Sequence, residues 1–513
     1  MTDAAALHGE GTDERREATG FRLYLLLFFV VLSATLYATT LLVASVLLPQ
    51  MQGTMSATQD EISWAMTFNI LATAVATPTT GWLAGNFGNR RVMAFSVAGF
   101  TAATLMCGLA DSLEALIFWR VVQGAVGAPV IPLSQTVLLG TFPKRLHGTV
   151  TSIFGMGVVI GPVIGPALGG YLSEVYSWRA AFFMIVPVGV IALVGLVAIL
   201  PRDHPSGRAR LDWTGFLTLS AAITCLQLMM SRGQRLDWFE SPEIWLEACG
   251  AVLAFYLFLA HSLTADKPFL NLKLLLDRNY AIGLGLVTLY GMLNFTPVVL
   301  LPPLLQTHAG YPDSIIGEIL AARGTGAVAG FFLAMFIGRF DPRFGLIVGF
   351  AIQTYAGYLL TVVDLNMTMG ELALSNALQG LATGLIWVPL TILAFSTLDP
   401  RHLAETSAVF HLLRNLGSSV FISICVAEIV RATGANYARL IELINPYNPA
   451  LSLPWVVGAW DVETTTGLAK LSKEINRQAA MIGYLNAFGM ITAASALAIP
   501  LILLARTKRR MPA

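Results

Sequence analysis

The feature that most constrains this chain is the recurrence of apolar runs long enough to cross a bilayer. A spanning helix needs roughly 20 apolar residues, because the hydrocarbon core is about 30 Å thick and a helix rises about 1.5 Å per residue. Such runs stand at 22–48, 62–84, 91–110, 115–140, 148–172, 180–200, 213–231, 243–263, 279–305, 315–338, 344–363, 371–397, 404–428 and 481–505. Lipid offers no partner to a bare backbone N–H or C=O, so each run must be helical or part of a closed barrel. No stretch alternates long enough to suggest a barrel. The expectation is an all-α polytopic membrane protein with about fourteen spans. The charge content agrees: 12% of residues are charged, against about 25% in a soluble chain.

Several function classes drop out. A formal net charge of +1 suggests no nucleic-acid partner. Cys107, Cys225, Cys249 and Cys425 lie in apolar runs and offer neither metal spacing nor a disulfide framework. No G-x-x-x-x-G-K-[ST] occurs, which argues against ATP-driven transport. Without a nucleophile–base pair, a metal or a cofactor motif, an enzyme has little support. Residues 1–20 are polar and read as a disordered tail, and the run behind them is too long for a signal-peptide core.

Orientation follows Lys and Arg, which favour the cytoplasmic side. With the N-terminus inside, most of them fall inside (Arg90, Arg91, Lys144 and Arg145 among them), and most of the outside ones lie in one loop, 429–480. An even number of spans returns the C-terminus to the inside. The inside loop from Gly81 to Arg91, G-W-L-A-G-N-F-G-N-R-R, has a counterpart from Gly338 to Gly345, G-R-F-D-P-R-F-G. That pairing divides the chain into a tail (1–20), a six-helix bundle (21–200), a linker with two extra spans (201–277), a second six-helix bundle (278–506) and a basic tail (507–513). Parallel repeats of this kind are a transporter architecture.

Gly157, Gly161, Gly165 and Gly169 recur every four residues in the fifth run, with Pro162 and Pro166 in the same step. On a helix the glycines form one bare ridge, which lets another helix approach closely. The ridge reads as a packing seam and, placed fifth among the spans, as a gate seam.

At these residues the chain resembles the major facilitator superfamily, and within it the EmrB/QacA-type fourteen-helix drug:proton antiporters. Gly81 to Arg91, with Gly88, Arg90 and Arg91, resembles the family's loop motif. Arg120 with Gln123 and Gly124 resembles its fourth-helix motif. Gly157 to Gly170 resembles the antiporter motif, and Trp178-Arg179 with Pro187 and Leu412 to Gly417 resemble two more. Gln234 to Phe239 and Asn445 to Pro449 look like the branch that works with a periplasmic adaptor. The resemblance implies two six-helix bundles plus two linker helices, a bacterial inner-membrane location, and export driven by inward proton movement. It also implies a membrane-fusion adaptor and an outer-membrane channel as partners, the 429–480 loop being a docking surface. Two departures matter. Gly85 and Asn86 replace the loop motif's acid and base, leaving its latch incomplete in the first half, while Arg339, Asp341 and Arg343 preserve one in the second. Thr40 and Ser45 stand where the family's first helix has Asp and Asn, which removes that carboxylate from the proton mechanism.

Ionisable groups inside spans face a cavity or a partner. Arg120, Arg323 and Arg414 lie deep in the fourth, tenth and thirteenth runs. Arginine does not titrate in the working range, so Glu318 is the first choice for the proton, followed by His411 and, near the outer entrance, Asp60 and Glu61; Glu318, Arg120 and His411 are the candidates for proton coupling. Three deep arginines against one acid suggest a cavity for anionic or neutral amphiphiles. Gln123, Arg323 and Arg414 are its polar candidates, and Tyr290, Met292, Phe295 and Trp387 an apolar wall. The rival readings are a dedicated exporter of one lipid, siderophore or signalling molecule, and a non-transporting sensor or scaffold.

Overall fold

The computed structural model describes residues 20–201, 210–266, 268–337, 341–399, 402–445, 448–454, 456, 460 and 464–505. These residues form helices and short turns, with no strand among them. The first bundle holds α1 (Gly20–Met55), α2 (59–87, bent by a 3-10 turn at Thr77–Thr79), α3 (Asn89–Gly108), α4 (Leu113–Thr141), α5 (His147–Val175) and α6 (Trp178–Ile199). A hairpin follows, α7 (Trp213–Arg232) and α8 (Pro242–Thr264). The second bundle holds α9 (Arg278–Pro303), α10 (Asp313–Ile337), α11 (Pro342–Thr361), α12 (Met369–Phe395), α13 (Leu403–Ile441) and α14 (Thr465–Leu503). Twelve helices among the described residues are long and apolar enough to cross a membrane. The expected second and fifth spans are helical too but fall outside that twelve, so the count of fourteen stays an expectation.

Helix starts follow local chemistry. Thr58, Ser112, Asp277, Thr368 and Thr464 each accept a hydrogen bond from a backbone N–H of the first turn, satisfying a donor the helix itself cannot. Gly88 closes the corner between α2 and α3 at φ +84°, a conformation that only glycine adopts cheaply.

Packing repeats with an offset of eight helices. In the first bundle α1 packs on α5 and α6, α2 on α4, and α3 on α4 and α6. In the second, α9 packs on α13 and α14, α10 on α12, and α11 on α12 and α14. The contacts between bundles repeat as well: α5 meets α10 and α12, and α13 meets α2 and α4. The basic loop residues repeat the pattern once more. Arg90 at the start of α3 donates to Val197 O at the end of α6 (2.5 Å), and Arg343 at the start of α11 donates to Ala505 O just past α14. Both place a cation on carbonyls that a helix end leaves unpaired. Asp341 accepts from the Arg343 N–H at 3.0 Å and caps α11; Arg339 lies outside the described residues.

The hairpin lies against α2 and α13, one helix from each bundle. Ala74, Leu219, Ile223, Phe258, Leu270 and Leu412 form a small core there. Asp212 ties its ends together, accepting from Gly215 N–H, Phe269 N–H and the His261 ring at 2.9–3.1 Å. Burial pushes the Asp212 carboxyl up, but these donors outweigh it and hold it below the usual carboxylate range.

In the 429–480 segment, whose alanine-rich ends suggest helical extensions broken by prolines in the middle, α13 runs on to Ile441 and α14 begins at Thr465. α13 and α14 are 39 residues each, about 58 Å long at 1.5 Å per residue and so roughly twice the hydrocarbon core. Their extensions run side by side, with the Tyr437 hydroxyl 2.8 Å from Ser472 Oγ.

Candidate transport site at the seam between the bundles

Three glycine seams set the helix positions around the site. The α5 ridge faces α1 of its own bundle. A Cβ at Gly161 would lie 2.6 Å from Thr35 O, one at Gly165 2.8 Å from Thr39 Cγ2, and one at Gly169 3.0 Å from Val43 Cγ1, with Gly157 set against Val31. α5 stays helical through Pro162 and Pro166. Across the bundles it is Gly155 that meets Phe331 of α10. The tightest seam is between α10 and α12, with glycines on both sides: Gly326 and Gly330 against the carbonyls of Ala377 and Leu381, and Gly380 and Gly384 against the backbone of Arg323 and Phe331. The third seam joins bundles, where Gly81 of α2 sits against the Glu405 backbone of α13.

Between these seams, α13 presents His411 and Arg414 to the interior, three residues apart and so on one face. The Arg414 guanidinium stacks over Trp387 (5.6 Å) and Phe295 (6.0 Å) and donates to Asn415 Oδ1 (3.1 Å). Trp387 in turn packs on Tyr290 (5.3 Å), Phe410 (5.7 Å) and His411 (5.7 Å). All except Phe295 and Asn415 are buried. The His411 ring reaches across to the first bundle, with Nε2 2.5 Å from Gln135 Oε1 of α4. Ser407 and Thr136 add bonds to Pro132 O, Gln135 Oε1 and Leu403 O. These hydrogen bonds between bundles gather at the end of the molecule that holds residues 132–136 and 403–411.

The other candidates fall elsewhere. Arg323 is buried on α10, donating to Gln379 Oε1 (2.6 Å) and to Asn294 O and Oδ1 (2.6 and 2.9 Å), beside Phe295. Arg120 and Gln123 are buried inside the first bundle and bonded to each other at 2.8 Å, away from the seam. Glu318 is exposed and shares no bond with Arg323 among the described residues. Five residues on a helix of 3.6 per turn place it about 140° around from Arg323. Thr40 is buried and donates to Leu36 O of its own helix at 2.9 Å. Among the described residues no carboxylate pairs with Arg120, Arg323 or Arg414. Gln135 and the α10–α12 glycines were missed by reading the chain alone, although Gly326/Gly330 and Gly380/Gly384 carry the four-residue spacing of the α5 ridge.

The sequence model described as Major Facilitator Superfamily matches residues 24–422. The chain belongs to the major facilitator superfamily. It is 33% identical over 461 residues to the multidrug export protein EmrB of Haemophilus influenzae, covering 88% of this chain and 90% of that one. It is 30% identical over 414 residues to the fatty acid resistance protein FarB of Neisseria gonorrhoeae, covering 80% and 81%. The crystal structure of the human organic anion transporter MFSD10 superposes with a TM-score of 0.59 at 12% identity, covering 94% of this chain and all of that one. That likeness establishes the facilitator fold alone. This facilitator is therefore a multi-pass membrane transporter and not an enzyme.

Proposed function

We propose that this facilitator exports amphiphilic drugs or toxic organic compounds by proton antiport, favouring anionic or neutral substrates. The observation that carries the reading is Arg414: a buried cation at the seam, walled by Trp387, Phe295 and Tyr290, with no carboxylate paired to it among the described residues. Such a site compensates an incoming anion and stacks its apolar body. Arg323, one helix away, adds a second positive charge. Relatives named for multidrug export and for fatty acid resistance support the substrate class.

Of the groups offered for the proton, His411 has the supporting position, buried beside Arg414 where the bundles meet. Glu318 is exposed and Arg120 is enclosed in one bundle, so both stand second to it. The arrangement fits alternating access: substrate binds at the seam, the bundles rock, and the α5 ridge keeps α1 and α5 moving together. On the orientation set by Lys and Arg, the closed end is cytoplasmic and both termini lie inside. The α13–α14 extensions then project outward as the docking surface for a periplasmic adaptor leading to an outer-membrane channel.

The test is transport in proteoliposomes with an imposed proton gradient, comparing a fatty-acid anion with a lipophilic cation such as ethidium. Export of the anion that Arg414→Ala abolishes supports the reading. Strong ethidium export with no anion export, unaffected by Arg414→Ala, would overturn it.

A further inference from the structure

Two facing groups on opposite bundles each leave one polar atom without a partner. His411 Nε2 meets Gln135 Oε1 at 2.5 Å, while His411 Nδ1 and Gln135 Nε2 are buried with no hydrogen-bond partner among the described residues. Both residues are 2% exposed. The Trp387 indole N–H, on the ring packed against His411, is unpartnered as well. An amide oxygen can only accept, so the ring nitrogen facing it must carry the hydrogen. That fixes the neutral tautomer: Nε2 holds the proton and Nδ1 is a buried acceptor.

We propose that Gln135 is the positioning residue for proton coupling, holding His411 in the tautomer whose Nδ1 takes the incoming proton; this rests on His411 being the carrier. The bond exists only while α4 and α13 touch, so it belongs to the conformer closed at this end. A proton from water on the open side adds to Nδ1 and leaves an imidazolium with two N–H groups. Nε2–H keeps Gln135, but Nδ1–H finds no acceptor, and the added charge lies one turn from Arg414 on the same face. The charged ring therefore strains the closed seam and favours its opening. Once the seam opens, water on the other side takes the Nδ1 proton back, neutral His411 re-forms its bond with Gln135, and the end closes. One proton crosses per cycle, opposite in direction to substrate export.

The surroundings are simple enough to make this readable. Among the described residues, Arg414 on its own helix is the charge that acts on His411, and Tyr290 on α9 and Tyr37 on α1 lie about Arg414 in turn. α4 and α12 face it with Gln135 and Trp387, which do not titrate. Ser407 donates to the same Gln135 oxygen at 3.3 Å and to Pro132 O at 3.1 Å, so it steadies the amide without touching the ring.

The experiment measures substrate-induced proton release against pH in proteoliposomes, with transport normalised to folded protein. His411→Asn should lose proton release yet keep substrate counterflow. Gln135→Glu should move the pH midpoint of coupled transport upward by about one unit, because an opposed carboxylate favours the imidazolium. Gln135→Leu should move it downward, having lost an acceptor that favours the charged ring. Ser407→Ala should leave it in place. If His411→Asn stays coupled, His411 is not the carrier and the underlying reading fails. If His411→Asn uncouples but both Gln135 variants keep the wild-type midpoint, slowing transport equally at all pH values, Gln135 is structural only and this proposal alone fails.

Discussion

The two bundles contain the same helix pair with the charge on opposite members. In the first, Gly124 of α4 packs against Asn69 O of α2, and Gln123 accepts from Arg120 on its own helix. In the second, Gly380 of α12 packs against Arg323 O of α10, and Gln379 accepts from Arg323 across the pair. Asn69 thus stands where Arg323 stands, and Arg120 where Asn376 stands. The consequence is large. On α4 the guanidinium is shut inside its bundle, bonded to Gln123 and Met66 Sδ (3.4 Å) and lying over Phe182 at 5.4 Å. On α10 it reaches out to Asn294 of α9, next to the Phe295 ring that Arg414 stacks on. Depth in the membrane does not set the role of an arginine here; the helix that carries it does.

Removing each cation in turn separates the two roles most directly. Arg120→Leu should destabilise the protein by about 3 kcal/mol, since bonds to a buried charge are worth about 1.5–3 kcal/mol each and Gln123 Oε1 loses the guanidinium donor. Export per folded molecule should hardly change. Arg323→Leu should cost a similar stability and, in addition, lower anion export per folded molecule about tenfold, one such interaction being worth at least the 1.4 kcal/mol of a tenfold change. Detergent-solubilised thermal melts together with normalised vesicle transport separate the two. Equal transport per molecule in both variants would make Arg323 a scaffold too.

A smaller effect sharpens the same point. Exchanging the charge within the first bundle, Asn69→Arg with Arg120→Asn, copies the arrangement of the second. If the pairs are equivalent, the double variant recovers about 1–2 kcal/mol of what Arg120→Asn alone loses, as expected for residues in one bonded network. Losses that simply add would show that the register of the two pairs is a likeness of packing without shared bonding.

Most of this architecture is legible in the chain because a bilayer leaves few options for an apolar run. The helices, the deep arginines and the matching loops, Gly81–Arg91 and Gly338–Gly345 (the latter described from Asp341 on), all follow from spacing. The side chains at the seam are less legible. His411 and Arg414 are three apart and share a face, so their pairing can be read from helix geometry. Glu318 and Arg323 are five apart, and the same geometry separates them. Gln135 is invisible for a different reason: its meaning lies in a contact with α13, some 270 residues away in the chain, and nothing in its local sequence marks it. The α5 ridge is conspicuous yet serves one bundle, whereas Gly380 and Gly384, each in a shorter pattern, form half of the tightest seam.

The hairpin between the bundles gives the mildest test, because it is bound unequally to them. Toward α13 it makes Gln227–Ser419 (2.9 Å) and Ser423–Met230 O (2.8 Å), and the segment after it adds Asn271 N–Glu405 (2.7 Å); toward α2, Thr67 lies 3.2 Å from Ser231 and the Arg232 guanidinium 5.5 Å from the Trp64 ring. Asp212 closes the hairpin and caps α7, so Asp212→Ala should cost about 1 kcal/mol, the usual value of a cap, with export intact. Its folded carboxyl sits below the ordinary range. The stability it adds is therefore fully present above an unfolded pKa of about 3.9 and is lost only as pH falls through the lower folded value. Wild type and variant should differ by a constant amount between pH 6 and 8 and converge in acid. A difference that grows toward pH 8 would mean that another group sets the hairpin's stability. With the hairpin loosened, protease access should rise first along α7 facing α2, held by Thr67–Ser231 and by Arg232 over Trp64, and last along its contact with α13.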